Sequence, residues 1–238
     1  MALKAVFLDL GGTIMDPTSD RTAHLEMMRA FRREVGLKAS PEDLLRRYEV
    51  LHEEHFQRLG TTWRQGWDIG REVVTTLLEE EGISMSGGHW EAFLEAHWRE
   101  HIRWLRPFPE AGEVLLKLGR SRLHVGLLSD IDEDFLQLCL YVLPLEGHLD
   151  SITTSEEVGL AKPHEAIFRR ALSKAGCEPH EAVHVGDSPE KDAAGAEGIG
   201  MTAVLIDASE EPGRADYVVP GLGEAYGVLR RLIREDTR

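Results

Sequence analysis

The chain has 238 residues, of which 42% are apolar, and a formal charge of −15. That composition supports a packed core and excludes a disordered chain, and the acidic balance excludes a binder of nucleic acid, whose phosphates need basic patches. The two cysteines, Cys139 and Cys177, make neither a disulfide framework nor a zinc spacing, residues 1–15 lack a secretory leader, and no stretch reaches the roughly 18 apolar residues of a membrane span, so a cytoplasmic setting without membrane contact is expected.

In chain order, residues 4–10 (KAVFLDL) predict a short buried strand closed by Gly11-Gly12. Residues 21–104 read as nearly continuous helix, broken near Gly36–Pro41, Gly60–Thr62 and Gly82–Gly88 into four amphipathic segments. All five tryptophans, Trp63, Trp67, Trp90, Trp98 and Trp104, fall in this block. After Pro107 and Pro109 the pattern alternates. A helix is expected over 110–119, a strand over 123–128, a helix over 132–140 and a strand over 150–153. A strongly amphipathic helix over 164–175 is stopped by Gly176. Strands follow at 182–186 and 201–206, with a helix from Pro189 between them, then an edge strand at 216–219 and a closing helix at 222–234.

This alternation predicts an α/β fold: a doubly wound, mainly parallel sheet covered on both faces. Residues 1–16 and 107–238 form that domain. Residues 17–106 are expected to be an inserted all-helical cap over the carboxyl edge of the sheet, where ligands bind in such folds.

Four segments fall at or near the carboxyl ends of predicted strands: Asp9-Leu10-Gly11-Gly12-Thr13, Leu128-Ser129-Asp130, Ala161-Lys162-Pro163, and Gly186-Asp187-Ser188 with Asp192. They offer a carboxylate nucleophile, a hydroxyl, an ammonium and an acidic pair, a set suited to phosphoryl transfer with a divalent ion. Each residue also has a plainer reading. Asp9 also reads as an aspartate closing a turn, Ser129 as a helix N-cap, Asp187 and Asp192 as acids complementing a helix dipole, and Lys162 as a solvated lysine.

With four such segments in order, the chain resembles the haloacid dehalogenase-like hydrolases over nearly its whole length. The flanking stretches Arg106-Pro107-Phe108-Pro109-Glu110-Ala111 and Ser155–Pro163 add to the resemblance. It implies a Mg²⁺-dependent phosphatase acting on a small phosphate ester, as a monomer or homodimer. Asp9 would form an aspartyl-phosphate, Ser129 would hydrogen-bond a phosphoryl oxygen, and Lys162 would neutralise Asp9 and the transferring group. Asp9, the Gly11 carbonyl, Asp187 and Asp192 would hold the metal or its waters. Gly12, Thr13, Ser129, Asp130 and Lys162 would face the substrate, with Thr13 steadying the loop and Asp130 only positioning. The helical insertion matches one cap type of the family, and the short interval from Ser129 to Lys162 leaves no room for the other.

One departure stands out. Phosphatases of this family carry an Asp two residues after the nucleophile, and here that residue is Gly11. The carbonyl is kept and the proton-transferring carboxyl is lost, which implies a rate lower by about 10²–10⁴. Three chemistries fit: a phosphatase of good leaving groups such as aryl or acyl phosphates, with Asp16 as a nearby substitute acid; a phosphonate hydrolase using Lys38 as a Schiff base; and a metal-free haloacid dehalogenase. A non-catalytic member that binds metal or phosphate is the reading from outside enzymology. The tryptophans are expected in the core of the helical unit, with Trp63 and Trp67 the candidates to face a pocket. His97 and His101, spaced i, i+4, and likewise His52 and His55, are expected on solvated or hydrogen-bonded faces.

Overall fold

The computed structural model describes residues 3–143, 145, 147–208 and 215–235. Among them, six parallel strands form one sheet in the order β3-β2-β1-β4-β5-β6. The strands are β1 (Ala5–Leu8), β2 (His124–Ser129), β3 (Ser151–Thr154), β4 (Ala182–Gly186), β5 (Thr202–Ile206) and β6 (Tyr217–Val219). All four β1 residues are buried because the sheet is covered on both faces. Val6 and Leu8 join one apolar cluster, and Ala5 and Phe7 join the cluster on the opposite face, as the two-residue strand period requires.

The first face is covered by α5 (Ala111–Gly119), α6 (Glu133–Val142) and α10 (Leu222–Glu235), and the second chiefly by α8 (Glu165–Ala175). A short helix, α7 (Ser155–Val158), follows β3 directly. The helix expected from Pro189 is present, and its first part, Pro189–Ala193, is π-helical and runs into α9 (Ala194–Glu197). Gly195 lets α9 pass close to α8, since a Cβ there would lie 2.6 Å from the Phe168 ring.

The helical block comprises α1 (Pro17–Val35), α2 (Pro41–Leu59), α3 (Gly66–Glu80) and α4 (Gly87–Trp104). Asp16 and Ser40 cap α1 and α2 ahead of a proline at the first helical position, and Gly36 ends α1 at φ 80. The four helices enclose their own apolar cluster around Met27, Phe31, Tyr48, Val74, Leu78 and Phe93. A fully buried phenylalanine such as Phe31 contributes about 1.5–3 kcal/mol to that cluster. The chain leaves and re-enters the sheet domain through adjacent backbone: Asp16 N–H donates to the Arg106 carbonyl and Phe108 N–H to that of Ile14.

Helical and sheet parts also meet across a cavity. Trp63 Nε1 donates to Asp132 Oδ1 at 2.9 Å, and Gly66 N–H donates to Asp132 Oδ2. A Cβ at Gly66 would sit 2.4 Å from that oxygen, so glycine is what lets the carboxylate reach the backbone. Trp67 Nε1 donates to Asp134, and Ala161 N–H donates to the Thr61 carbonyl.

Candidate active site

The strand order reverses direction between β1 and β4, and the crevice at their carboxyl ends is where open α/β sheets bind ligands. Asp9 follows β1 and continues its ladder, its N–H donating to Val185 on β4. Ser129 ends β2 and Asp187 follows β4. Lys162 comes from the loop before α8. Its N–H donates to Asp130 Oδ1 at 2.8 Å, which aims the side chain inward.

Lys162 Nζ lies 2.7 Å from Asp9 Oδ1 and 2.6 Å from Asp192 Oδ1. All three residues are buried. Asp192 is further held by His184 Nε2 at 2.8 Å and by the Ser188 N–H at 3.0 Å. A Cβ at Gly186 would fall 2.2 Å from Asp192 Cγ, so the glycine clears the way for this carboxylate. One oxygen each of Asp9, Asp187 and Asp192 lie within 4.8 Å of one another. Gly12 adopts φ +68, and a Cβ there would lie 2.0 Å from Asp187 Oδ2. The loop after Asp9 is thus a cradle pressed against the Asp187 carboxylate.

The electrostatics follow from this crowding. Burial raises the Asp9 carboxyl, the Asp192 charge adds to it, and the Lys162 ammonium opposes it. Asp192, though buried, is held well below the usual carboxylate range by Lys162 and His184. Burial, which alone would lower Lys162, is outweighed by Asp9 and Asp192, so its ammonium is held above the usual lysine range. Asp187 presents an exposed outer side, yet its carboxyl is raised to about 6 by burial against the loop and by the charges of Asp9 and Asp192. Three carboxylates around one ammonium make a hard-oxygen cluster short of positive charge, and this donor set fits Mg²⁺. Asp9 and Asp187 have oxygens to offer. Asp192 Oδ1 accepts from Lys162 and His184 and its Oδ2 from the Ser188 N–H, so Asp192 also holds Lys162 in register beside the cluster.

The other expected residues divide. Ser129, at the end of β2, and Thr13, in the loop after Asp9, are buried, and the Thr13 hydroxyl makes no hydrogen bond among the described residues. Thr13 therefore does not steady the loop by a side-chain bond. Asp16 is turned to capping, accepting from Thr18 N–H at 2.8 Å and from the Thr18 hydroxyl with both oxygens, which removes it as a substitute acid. Lys38 lies in the α1–α2 loop and does not line the cavity above the site. That position removes the Schiff-base chemistry built on it.

The cavity, of about 700 Å³, lies between the helical block and the sheet. It reaches Asp130 and Lys162 on one side and Tyr48, Phe56, Phe93 and Phe135 on the others. Trp63 and Trp67 line it as well, as expected, while Trp90 packs against the helical cluster and Trp98 against the sheet core. His97 and His101 are not on a solvated face: both are buried where α4 packs on α1. His52 also borders the cavity, and His55 stands 3.7 Å from Glu72. Two contributors escaped the sequence reading, His184 and Asp132. A histidine inside the apolar run AVHVG was the available signal for the first; nothing local marks Asp132.

The haloacid dehalogenase-like hydrolase family model matches residues 3–200. Glyceraldehyde 3-phosphate phosphatase of Methanothermobacter thermautotrophicus is 28% identical over 220 residues, 91% of each chain. Phosphoserine phosphatase of Thermus thermophilus is 29% identical over 234 residues, 88% of this chain and 91% of that one. (S)-2-haloacid dehalogenase 4A of Burkholderia cepacia is 26% identical over 237 residues, 98% of this chain and 97% of that one. Among solved structures, the HAD-hydrolase YfnB of Bacillus subtilis superposes with a TM-score of 0.74 at 18% identity, covering 97% of this chain and all of that one.

Proposed function

This chain belongs to the haloacid dehalogenase-like hydrolases, and from that premise we propose that it hydrolyses a small phosphate ester through an aspartyl-phosphate on Asp9, with Mg²⁺. The observation that carries the reading is Lys162 bridging Asp9 and Asp192 beside Asp187 at the switch point of the sheet. The relatives that act on glyceraldehyde 3-phosphate and phosphoserine support a phosphate substrate.

An Asp9 oxygen forms a bond to phosphorus, and the bond to the leaving oxygen breaks with its electron pair. Water then attacks phosphorus, releasing phosphate and restoring the carboxylate. Lys162 holds Asp9 in place and offsets negative charge on the transferring group, while Ser129 donates to a phosphoryl oxygen. Asp130 acts at one remove by fixing the Lys162 backbone. Asp9, the Gly11 carbonyl and Asp187 would hold Mg²⁺, with Asp192 holding the ion or its waters, and the ion would supply charge neutralisation to the phosphoryl oxygens. Gly11 provides no proton for the leaving group, so a substrate whose leaving oxygen is already stable as an anion is favoured. The aromatic cavity of about 700 Å³ suits an aryl group. Residues 17–106 act as the cap and 1–16 with 107–238 as the hydrolase domain, with Asp132 joining the two.

The test is hydrolysis of p-nitrophenyl phosphate. Turnover should require Mg²⁺ and disappear in Asp9→Asn; turnover unaffected by that substitution or by chelator would overturn the reading. A second reading has its own support: a dehalogenase also lacks an Asp at position 11, and a dehalogenase relative aligns along 98% of this chain. Chelator-resistant chloride release from 2-chloropropionate, with no phosphatase activity, would decide for it.

A further inference from the structure

A second polar cluster lies in the helical block, away from Asp9. Asp20 and His24 sit one turn apart on α1, and His101 sits on α4. One carboxylate oxygen of Asp20 and one ring nitrogen from each histidine lie within 4.8 Å of one another. His101 is fully buried, and its Nδ1 is 2.8 Å from the His97 carbonyl. A carbonyl only accepts, so Nδ1 carries the ring proton and Nε2 is left as a lone pair. That Nε2 has no hydrogen-bond partner among the described residues and stands 3.8 Å from Asp20 Oδ1, an oxygen equally buried and unpartnered. Burial and the neighbouring His24 keep the His101 ring neutral, with a pKa of about 4. Two acceptors therefore face each other with no proton between them. On the other side of the carboxylate, His24 Nδ1 is 3.5 Å from Asp20 Oδ2 and 3.0 Å from the Asp20 carbonyl. A His24–Asp20 ion pair would account for His24 but leaves His101 Nε2 and Asp20 Oδ1 unsatisfied.

We propose that Asp20, His24 and His101 form a site for a divalent cation of the zinc class, separate from the acidic cluster at Asp9 and Asp187. Zinc–ligand bonds of about 2.0–2.2 Å in tetrahedral geometry put neighbouring ligand atoms roughly 3.3–3.6 Å apart, inside the 4.8 Å that bounds the three ligand atoms here; His24 Nδ1 stands 3.5 Å from Asp20 Oδ2 and His101 Nε2 3.8 Å from Asp20 Oδ1, so each histidine meets its own oxygen of the carboxylate. Two imidazoles and one carboxylate select Zn²⁺ or Co²⁺, whereas the all-carboxylate cluster selects Mg²⁺. The bond from His101 Nδ1–H to a backbone carbonyl is the support that metal-bound histidines use to fix ring orientation and tautomer. Entry of the ion displaces the proton that His24 shares with Asp20 to solvent.

Three protein ligands leave a fourth position. Asp20 and His24 line the cavity, and so does His97, whose two ring nitrogens are both buried and unpartnered. The fourth position thus opens toward the cavity, where water or an oxygen of a molecule bound there completes the coordination. The ion would pin α1 to α4 and place a Lewis acid on the cavity wall. None of this depends on the phosphatase reading.

The experiment uses the full chain, stripped with chelator and transferred to excess Mg²⁺, then titrated with Co²⁺. One Co²⁺ per chain should bind with the visible absorption of nitrogen-ligated cobalt, and Zn²⁺ should displace it. His101→Gln and Asp20→Asn should each weaken binding by at least about tenfold. Suppression of Co²⁺ uptake by Mg²⁺, or affinity unchanged in both variants, would overturn the proposal. Should either variant fail to fold, X-ray absorption on the wild-type zinc complex decides: imidazole in the coordination shell supports the site, and an oxygen-only shell refutes it.

Discussion

Replacing Gly11 with aspartate adds a carboxyl two residues from the nucleophile, and the local geometry accepts it. A Cβ at Gly11 meets nothing closer than Met15 Cε at 4.0 Å, and Gly11 is not among the glycines with positive φ. The new carboxyl would stand two residues from Asp9 on the loop that follows β1. A carboxylic acid at that place can give its proton to the leaving oxygen. General acid–base help is worth about 10²–10⁴ in rate, or roughly 3–5 kcal/mol of barrier, but only where the leaving group needs the proton. Gly11→Asp should therefore raise kcat/KM for an alkyl phosphate by at least about tenfold, a fraction of the full effect because the acid is not tuned. For p-nitrophenyl phosphate, whose phenolate leaves readily, the change should be small. The assay is phosphate release from both substrates at saturating Mg²⁺. An equal gain on both substrates, or no gain on the alkyl ester, would refute the idea that the missing carboxyl limits the rate.

Three further outcomes are expected. Lys162→Met strips the ammonium from two buried carboxylates, and breaking a buried pair typically costs about 3–5 kcal/mol; urea melts in chelator should show most of that loss, and unchanged stability would contradict the ion-pair account. Gly12→Ala forces a Cβ against Asp187 Oδ2 at φ +68, so the Mg²⁺ concentration for half-maximal activity should rise by an order of magnitude or more through loss of a ligand's orientation, with unchanged Mg²⁺ dependence as the refuting result. The third concerns pH in metal-free protein. The Asp187 carboxyl is raised in the folded state to about 6, above its unfolded value of about 3.9, so its contribution to stability is greatest below pH 4 and is lost as pH rises through 6. Relative to Asp187→Asn, the wild type should lose stability across that window in chelator and regain it with Mg²⁺; parallel pH profiles for the two proteins would contradict this.

Much of the fold was legible because its signals are local. The buried run KAVFLDL, the proline starts of α1 and α2, and Gly36 and Gly176 at helix ends each mark a boundary by backbone chemistry alone. The π-helical form of the turn at Pro189 carries no local signal, and the close approach of Gly195 to Phe168 joins residues distant in sequence. The candidate site was partly legible. Asp9, Lys162, Asp187 and Asp192 come together as their motifs suggested, yet no spacing told that Asp192 has both oxygens engaged by Lys162, His184 and Ser188. Asp16 looked like a free acid near the first motif until its cap on α1 fixed both oxygens. For His97 and His101 the i, i+4 spacing left a solvated and a hydrogen-bonded face equally open, because it gives a shared side but not its neighbour; here the neighbour is α1, and His101 is buried with its Nδ1 bonded to the His97 carbonyl.

The most direct measurement is mass spectrometry of the chain quenched in acid during turnover of an aryl phosphate with Mg²⁺. A phosphoryl adduct on the peptide containing Asp9, absent from Asp9→Asn, is the expected result. A phosphoryl group found on another residue, or an unmodified Asp9 peptide while product accumulates in a burst, would contradict covalent transfer through Asp9.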